Sequence, residues 1–353
     1  MNDIQKQITA LRQGEIPTHA GWVQLITKAS QDDQLFSRDL ARQRAQERFG
    51  RQVFFRGIVE FTNYCKNDCY YCGIRRSNKC VSRYRLTEDE ILSCCEEGFQ
   101  LGYRTFVLQG GEDVWWTDEK IAALVGKIRA AYPDCAITLS IGEKSREAYQ
   151  AFFDAGADRY LLRHETADLA HYAKLHPAAL SLSNRMRCLR DLKEIGYQTG
   201  AGMMIGAPYQ TPDTLAADFA FLAELKPEMV GMGPFIPHKD TPFRDHPAGS
   251  AEQTLYLLSL VRLLLPDVLL PATTALGTLD GTGRQAGVLS GCNVVMPTLS
   301  PMAVRKKYLL YDHKAGIEDS GETSLQKLRE QMQAIGYTVA VGRGDFTDGR
   351  TRT

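Results

Sequence analysis

The sequence predicts an α/β protein whose main part is a (β/α)8 barrel of the TIM type, and two observations indicate this fold. Short β-branched or apolar segments alternate from Gly57 onward with longer segments of helical period, a pattern typical of parallel β/α units. Eight such units within about 240 residues match the barrel, whereas an open doubly wound sheet usually has five or six strands. The predicted strands are GIVEFTN, TFVLQG, AITLSIG, DRYLLRH, QTGAGMMIG, MVGMGPF, VLLPATT and CNVVMP.

Two of the helices between these strands carry start signals. Thr87 and Glu90 have the spacing of a capping box, in which each side chain bonds the backbone N–H of the other residue. Thr211 is followed by Pro212, and proline is favoured at the first position of a helix. Both signals predict helices on the connections that a barrel requires.

The chain is expected to have three regions in order. Residues 1–50 form a helical extension, because apolar residues such as Leu35 and Leu40 recur at helical spacing. The barrel is predicted over 51–312, and residues 313–353 form a tail that covers one end of it.

Beyond Pro301 the alternating pattern weakens. We expect a helix near 302–312, an amphipathic helix near 323–335 and a short apolar run, TVAV.

Composition excludes several classes of protein. Hydrophobic residues make up 44% of the chain and charged residues 24%, as in soluble globular proteins. Lys plus Arg and Asp plus Glu both number 42, so no net positive charge favours nucleic acid. The most apolar stretch, residues 255–272, is broken by Arg262, Pro266 and Asp267, so we expect no membrane span. Because the N-terminus lacks a secretory signal, we expect a cytoplasmic protein in which clustered cysteines bind metal rather than form disulfides, while cysteines without common spacing are buried apolar side chains.

Three of these cysteines follow the first predicted strand. Cys65, Cys69 and Cys72 have the spacing C-x3-C-x2-C, at the carboxyl end of the barrel where active sites lie. Soft thiolate ligands favour iron–sulfur clusters, zinc or copper(I), and a four-iron cluster on three thiolates leaves one iron open for a chelating substrate. Two alternatives remain open: a structural zinc site completed by Cys80, and cysteines that are only buried apolar side chains.

The fourth predicted strand carries charges that a packed barrel interior does not need. In DRYLLRHE, alternation places Arg159, Arg163 and Glu165 on one side of the strand. An unpaired buried charge is costly, so this face predicts a ligand, with an internal Arg–Glu ion pair as the alternative.

The motif CKNDCYYC after the first strand resembles the signature of the radical S-adenosylmethionine (radical SAM) enzymes. The resemblance implies a 4Fe–4S cluster on the three cysteines, whose open iron chelates S-adenosylmethionine (SAM). It further implies that an electron from the reduced cluster cleaves SAM to a 5'-deoxyadenosyl radical, while the protein positions that radical.

The resemblance also implies which residues contact SAM. Glu165 matches a residue that binds the ribose hydroxyls, Arg185 one that binds the SAM carboxylate, and Tyr71 one that lies against the adenine. The turn after the second strand matches the family's methionine-binding turn, although related sequences often carry Ser at the position of Gly110. The full predicted set of cofactor contacts is Tyr71, Gln109, Gly110, Gly111, Glu112, Thr138, Ser140, Arg159, Glu165, Arg185 and Met229.

Over residues 50–312 the motifs RYRLT, LQGGED, SIGE, YLLRHETA, GAGMMIG, MVGMGPFIPHKDTP and PATTALGT resemble the HydE family of diiron (FeFe) hydrogenase maturases. The resemblance implies attack of the radical on a sulfur of a cysteine-containing iron carbonyl and cyanide substrate. Arg163, Thr273 and Thr274 match positions that hold a substrate carboxylate. The sister maturases HydG and HydF and an electron donor such as ferredoxin or flavodoxin are the implied partners.

One departure from that family concerns a second cluster, which some members bind on three C-terminal cysteines. This chain has no cysteine after Cys292, which rules out such a cluster there. Alternative functions are a methylornithine synthase or a biotin-synthase-like enzyme, and, outside the class, a zinc-binding scaffold without catalysis.

Overall fold

The computed structural model describes residues 1–318 and 321–347. Its strands are β1 (Gln52–Phe55), β2 (Gly57–Thr62), β3 (Thr105–Gly110), β4 (Ala136–Ser140), β5 (Arg159–Leu161), β6 (Gln198–Ala201), β7 (Met204–Ile205), β8 (Met229–Val230), β9 (Gly233–Pro234), β10 (Val294–Val295) and β11 (Thr338–Ala340). Six of them form a parallel sheet in the order β2-β3-β4-β5-β6-β8. All residues of β2 are buried, as expected for a strand covered on both faces.

Single bridges close this sheet into a ring. Met229 on β8 pairs with Leu269, Pro271 pairs with Val294 on β10, and Thr298 pairs with Ile58 on β2. The segment around 269–271 and the segment 294–298 therefore supply the seventh and eighth strand positions. The (β/α)8 barrel predicted from the sequence is confirmed.

The helices form the N-terminal extension, the connections between strands on the outside of the ring, and part of the tail. They are α1 (Asp3–Arg12), α2 (His19–Lys28), α3 (Gln31–Phe49), α4 (Glu88–Gln100), α5 (Asp118–Ala131), α6 (Arg146–Asp154), α7 (Leu169–Leu175), α8 (Leu182–Ile195), α9 (Pro212–Leu225), α10 (Ala251–Leu264), α11 (Thr274–Leu279), α12 (Gly283–Leu289), α13 (Met302–Arg305) and α14 (Gly321–Ala334). The capping box of Thr87 and Glu90 is present at α4. Thr211 caps α9, with Pro212 in its first turn, so both predicted helix starts are confirmed. In the described part of the chain, no helix is long and apolar enough to cross a membrane.

The N-terminal helices α1–α3 pack against the outer helices α9 and α10. Trp22 stacks on Phe219 with ring centroids 4.6 Å apart. Ser37 Oγ and Ser259 Oγ lie 2.7 Å apart in a hydrogen bond. The extension thus shares the hydrophobic core of the barrel.

The predicted helix over 302–312 is wrong beyond α13. The chain after Arg305 instead crosses the mouth of the barrel, where its carbonyls and amides bond neighbouring loops. Gly73 N donates to Leu310 O at 2.9 Å, and Asp312 N donates to Pro237 O at 3.2 Å. These contacts replace the internal hydrogen bonds that a helix would need.

The rest of the tail reaches the opposite end of the barrel. The amphipathic helix expected near 323–335 is present as α14, and β11 adds a parallel strand to β1. Arg343 O then accepts hydrogen bonds from Thr105 and Arg159, which begin β3 and β5. Residues 343–346 therefore lie across the amino ends of the strands, and 348–353 of the predicted tail lie outside the described residues.

Candidate active site

Cys65, Cys69 and Cys72 line one cavity of about 370 Å³ at the carboxyl ends of the barrel strands. This volume lies within the range of about 300–1,000 Å³ that small-molecule sites occupy. The cysteines belong to the loop after β2, which turns back on itself where Cys72 N donates to Cys69 O. The predicted convergence of these three residues at the barrel mouth is what the structure shows.

Arg83 holds the shape of this loop. Its guanidinium donates to the carbonyls of Ile74 at 2.8 Å, Arg75 at 2.6 Å and Asn78 at 3.2 Å, and it also contacts the carbonyl of Asn63. Charged donors make strong hydrogen bonds, and four of them on one side chain fix the loop from within. No sequence motif pointed to Arg83.

When deprotonated, the three thiols are soft, negatively charged metal ligands. Burial raises the pKa of Cys65 and Cys69, and it raises the pKa of Cys72 to about 12. Neighbouring thiols add to the increase in the pKa of Cys69 and Cys72. A bound metal centre reverses this effect, because a coordinating thiol loses its proton. Three soft donors facing one roomy cavity fit an iron–sulfur cluster with an open position.

The zinc alternative fits less well. Cys80 is exposed and does not line the cavity. Within residues 1–318 and 321–347, no three His, Cys, Asp or Glu side chains are close enough to hold a single ion. The other cysteines outside the loop are buried, as expected for small apolar side chains.

The turn that ends β3 packs directly against the cysteine loop. A Cβ atom at Gly111 would lie 2.2 Å from Tyr64 O and 2.8 Å from Cys65 Cβ. At Gly110 it would lie 2.8 Å from Thr62 Cγ2, so any side chain at this position would require Thr62 to shift. Both glycines line the cavity, together with Gln109 and Glu112.

Charged side chains occupy the opposite wall. Arg163 Nη2 lies 2.9 Å from Glu165 Oε2, so the internal ion pair that remained an alternative is present, with both residues lining the cavity. Arg185 also lines the cavity, and its Nε lies 2.6 Å from Glu143 Oε1. Glu143 in turn donates its backbone N–H to Glu112 at 3.0 Å. Sequence reasoning missed Glu143, whose partners come from α8 and from the turn after β3.

Tyr71 lines the same cavity and is held by a residue that no ligand spacing suggested. Its hydroxyl lies 3.1 Å from His176 Nε2. Burial lowers the pKa of His176 to about 3, with a further contribution from the charge of Arg185. The imidazole is therefore neutral near pH 7 and fixes the phenol that was predicted to lie against adenine.

Three predicted cofactor contacts lie outside the lining of the cavity. Arg159 begins β5 at the amino end of the barrel, where its Nη2 lies 2.7 Å from Asp345 Oδ1. Met229 packs below the cavity, and its sulfur accepts from Arg56 at 2.8 Å. Thr138 pairs in register with Arg159 and is fully buried at that depth. Strand alternation predicts the face of a residue but not its depth, so these three assignments are corrected, whereas Ser140 does line the cavity.

The predicted substrate residues Thr273 and Thr274 line the main cavity and a side compartment of about 150 Å³. Thr273 Oγ1 is buried without a hydrogen-bond partner among the described residues. Half-buried Arg284 also faces the compartment, with its Nη2 3.5 Å from Thr274 Oγ1. Burial lowers the pKa of Arg284, and its guanidinium forms no ion pair with an acid of the described chain. Such a group favours an anion, and the segment GTGRQAG gave no sign of it.

Glu60, an acid in β2, also faces the side compartment. Glu60 Oε1 lies 2.7 Å from Lys314 Nζ, and its other oxygen accepts from Thr298 and Ser300. Although burial acts to raise the pKa of Glu60, Lys314 holds it below its usual value. This pair ties the segment over the barrel mouth to β2.

Comparisons with known proteins agree with this geometry. Residues 59–222 match the Radical SAM superfamily. The chain is 44% identical over 287 residues to the FeFe hydrogenase maturase subunit HydE of Thermotoga maritima, covering 81% of this chain and 82% of that protein. It is 27% identical over 295 residues to 3-methylornithine synthase of Methanosarcina acetivorans, covering 83% of each. The crystal structure of the hydrogenase maturase HydG superposes with a TM-score of 0.84 over 99% of this chain and 78% of that one, at 18% identity, a likeness of fold.

The barrel with three cysteines at its mouth and the 44% identity to HydE over four-fifths of the chain lead to the same conclusion: the chain belongs to the radical SAM superfamily and, within it, to the family of the hydrogenase maturase HydE.

Proposed function

We propose that this enzyme helps to assemble the diiron subcluster of FeFe hydrogenase by acting on a sulfur of a cysteine-containing iron carbonyl and cyanide complex. The single observation that carries this proposal is the 44% identity to HydE, which exceeds the 27% identity to 3-methylornithine synthase over a similar length. The cavity chemistry supports it independently.

Radical SAM enzymes use a 4Fe–4S cluster and SAM, and this chain has groups that fit both. Cys65, Cys69 and Cys72 would hold the cluster. When bound, the reduced cluster and SAM supply a 5'-deoxyadenosyl radical for attack on the substrate sulfur. The protein contributes binding, orientation and exclusion of water.

SAM would lie between the cysteine loop and the charged wall of the cavity. Arg185, fixed by Glu143, offers a cation for the SAM carboxylate. Glu165 offers a carboxylate for the ribose hydroxyls, and Tyr71 an aromatic face for adenine. The carbonyls of the turn that contains Gly110 and Gly111 would accept from the SAM ammonium group.

The substrate would lie toward the side compartment, which Thr273 and Arg284 both line. Among the residues that the structure describes, the Thr273 hydroxyl has no hydrogen-bond partner and Arg284 has no acidic partner. Arg163 has its charge balanced by Glu165, so Arg284 adds the uncompensated positive charge that a carboxylate or an anionic iron complex would offset. The proposed partners HydG and HydF would deliver this substrate and receive the product, and ferredoxin or flavodoxin would supply the electron.

A maturation assay tests the proposal. An FeFe hydrogenase made without its subcluster is incubated with HydG, HydF and this protein, and hydrogen evolution is measured. We expect activation that is lost with Cys69→Ala, and an Arg284→Gln variant that consumes more SAM per hydrogenase activated. Hydrogenase activation that is equal with and without this protein would refute the assignment, as would a host that makes active hydrogenase after deletion of the gene.

A further inference from the structure

The cysteine loop has a strongly basic outer surface in a chain of zero net charge. Residues 64–85 contain six basic residues and one acid, Asp68. Four of the six have partners within the protein, since Arg83 binds loop carbonyls, Arg75 pairs with Asp68 at 2.7 Å, Arg85 pairs with Asp113, and Lys66 pairs with Glu112 at 3.1 Å. Lys66 is nevertheless exposed, as are the other two, Arg76 and Lys79.

Exposed apolar side chains lie on the cysteine loop and just after the turn that packs against it. Tyr64 is 36% exposed, Val114 75% and Trp115 46%. The guanidinium of Arg85 joins them, because it lies 3.8 Å from the ring centroid of Tyr64 and 5.8 Å from that of Trp115. Exposed aromatic residues within a charged rim are typical of protein interfaces. We call the surface formed by Tyr64, Lys66, Arg76, Lys79, Val114 and Trp115 the loop face.

The loop face is the outer side of the segment whose inner side carries the cluster cysteines. Tyr64 and Lys66 flank Cys65 in the chain, and Lys66 N donates to Glu112 O at 2.9 Å. Arg76 N donates to Asn67 O at 2.8 Å, and Asn67 lines the cavity. A protein seated on this face would approach the cluster ligands across a single layer of backbone.

We propose that the loop face docks an acidic one-electron carrier protein. This inference rests on the proposed function, because that chemistry needs an external electron. One electron leaves the carrier, which is oxidised, and reduces the centre held by the three cysteines; no atom or proton is transferred in this step. Opposite charges would steer the two proteins together, and the aromatic residues would form the apolar centre of the contact.

The test measures binding of flavodoxin, an acidic flavoprotein, to the cluster-loaded protein by titration calorimetry at several salt concentrations. We expect affinity that falls as salt increases, since exposed charges are screened. A double variant, Arg76→Glu with Lys79→Glu, should bind at least about tenfold more weakly, because like charges then face each other. Trp115→Ser should weaken binding at every salt concentration.

The matched control is Lys6→Glu with Lys28→Glu, which makes the same change in net charge on exposed residues of α1 and α2. Wild-type affinity in this control supports docking at the loop face. Equal weakening in both double variants, or wild-type affinity in the Arg76 and Lys79 variant, would overturn the proposal. Displacement of flavodoxin by an equimolar RNA oligonucleotide would also overturn it, in favour of a nucleic-acid surface.

A chemical reductant separates this proposal from the proposed function. Dithionite needs no docking surface, so it should drive 5'-deoxyadenosine formation equally in the wild type and in the Arg76 and Lys79 variant, whereas reduced flavodoxin should drive it more slowly in the variant. If the wild type forms no 5'-deoxyadenosine with dithionite, the proposed function fails, and the calorimetry still decides whether the loop face binds the carrier.

Discussion

Replacing Gly111 with alanine tests whether close packing between the turn after β3 and the cysteine loop positions that loop. The new Cβ would lie 2.2 Å from Tyr64 O and 2.8 Å from Cys65 Cβ, whereas ordinary contacts begin at 3.4 Å. Because the nearest atom belongs to the backbone, no side-chain rotation relieves the overlap. The loop and the turn must therefore separate by roughly 1 Å.

We expect two measurable effects. Overpacking of this kind costs about 1–3 kcal/mol of unfolding free energy. A displacement of about 1 Å in a catalytic group lowers rates by about 100-fold, so 5'-deoxyadenosine formation should fall to that extent. Gly126→Ala is the matched control, because Gly126 lies within α5 and a Cβ added there would have no other atom within 4 Å. Alanine at this position should stabilise the helix by roughly 0.5–1 kcal/mol.

The assay compares iron content, chemical unfolding and dithionite-driven 5'-deoxyadenosine formation in the two variants and the wild type. A Gly111→Ala protein with full iron content and the wild-type rate would refute the packing argument. Equal losses in Gly126→Ala would show that any added methyl group disturbs the protein.

Three further variants test other parts of the site. Cys69→Ser should abolish iron binding, whereas Cys80→Ser should keep it, and iron analysis of anaerobic preparations measures both. Equal loss of metal in the two variants would favour the alternative site in which Cys80 is the fourth ligand. Glu143→Gln should weaken SAM binding to the cluster-loaded protein by about 10-fold or more, because Arg185 loses its ionic partner, and unchanged affinity would mean that Glu143 does not position it. Asp345→Asn should lower unfolding free energy by about 1–3 kcal/mol at pH 7, since its carboxylate bonds both Arg159 and Arg343. The pKa of this carboxyl is held below its usual value, so its contribution is full above about pH 4 and declines as the pH falls further. A difference between wild type and variant that is as large at pH 2 as at pH 7 would contradict this.

The barrel could be predicted because the sequence signals of its strands and helices are local. Each strand is a short buried run between helical segments, and caps such as Thr87 and Thr211 act within three residues. The cysteine loop was equally local, since three ligands within eight residues have to face one centre.

Other features depend on contacts that a linear pattern does not contain. Alternation placed Arg159 and Glu165 on one face, but the first binds the tail at the amino end and the second lines the cavity at the carboxyl end. The segment after Arg305 has helical character by sequence, yet bonds to Gly73 and Pro237 draw it across the barrel mouth. Arg284 became a candidate only because, among residues 1–318 and 321–347, the fold gives its charge no acidic partner.

We propose that three cysteines at the mouth of this barrel hold a four-iron cluster, and that the reduced cluster cleaves SAM. The most direct measurement is metal and sulfide analysis of the anaerobically prepared protein, followed by reduction with dithionite in the presence of SAM. We predict about four iron and four sulfide per chain, with 5'-deoxyadenosine and methionine formed in equal amounts. One zinc per chain without iron, or an iron-loaded protein that leaves SAM intact, would contradict it.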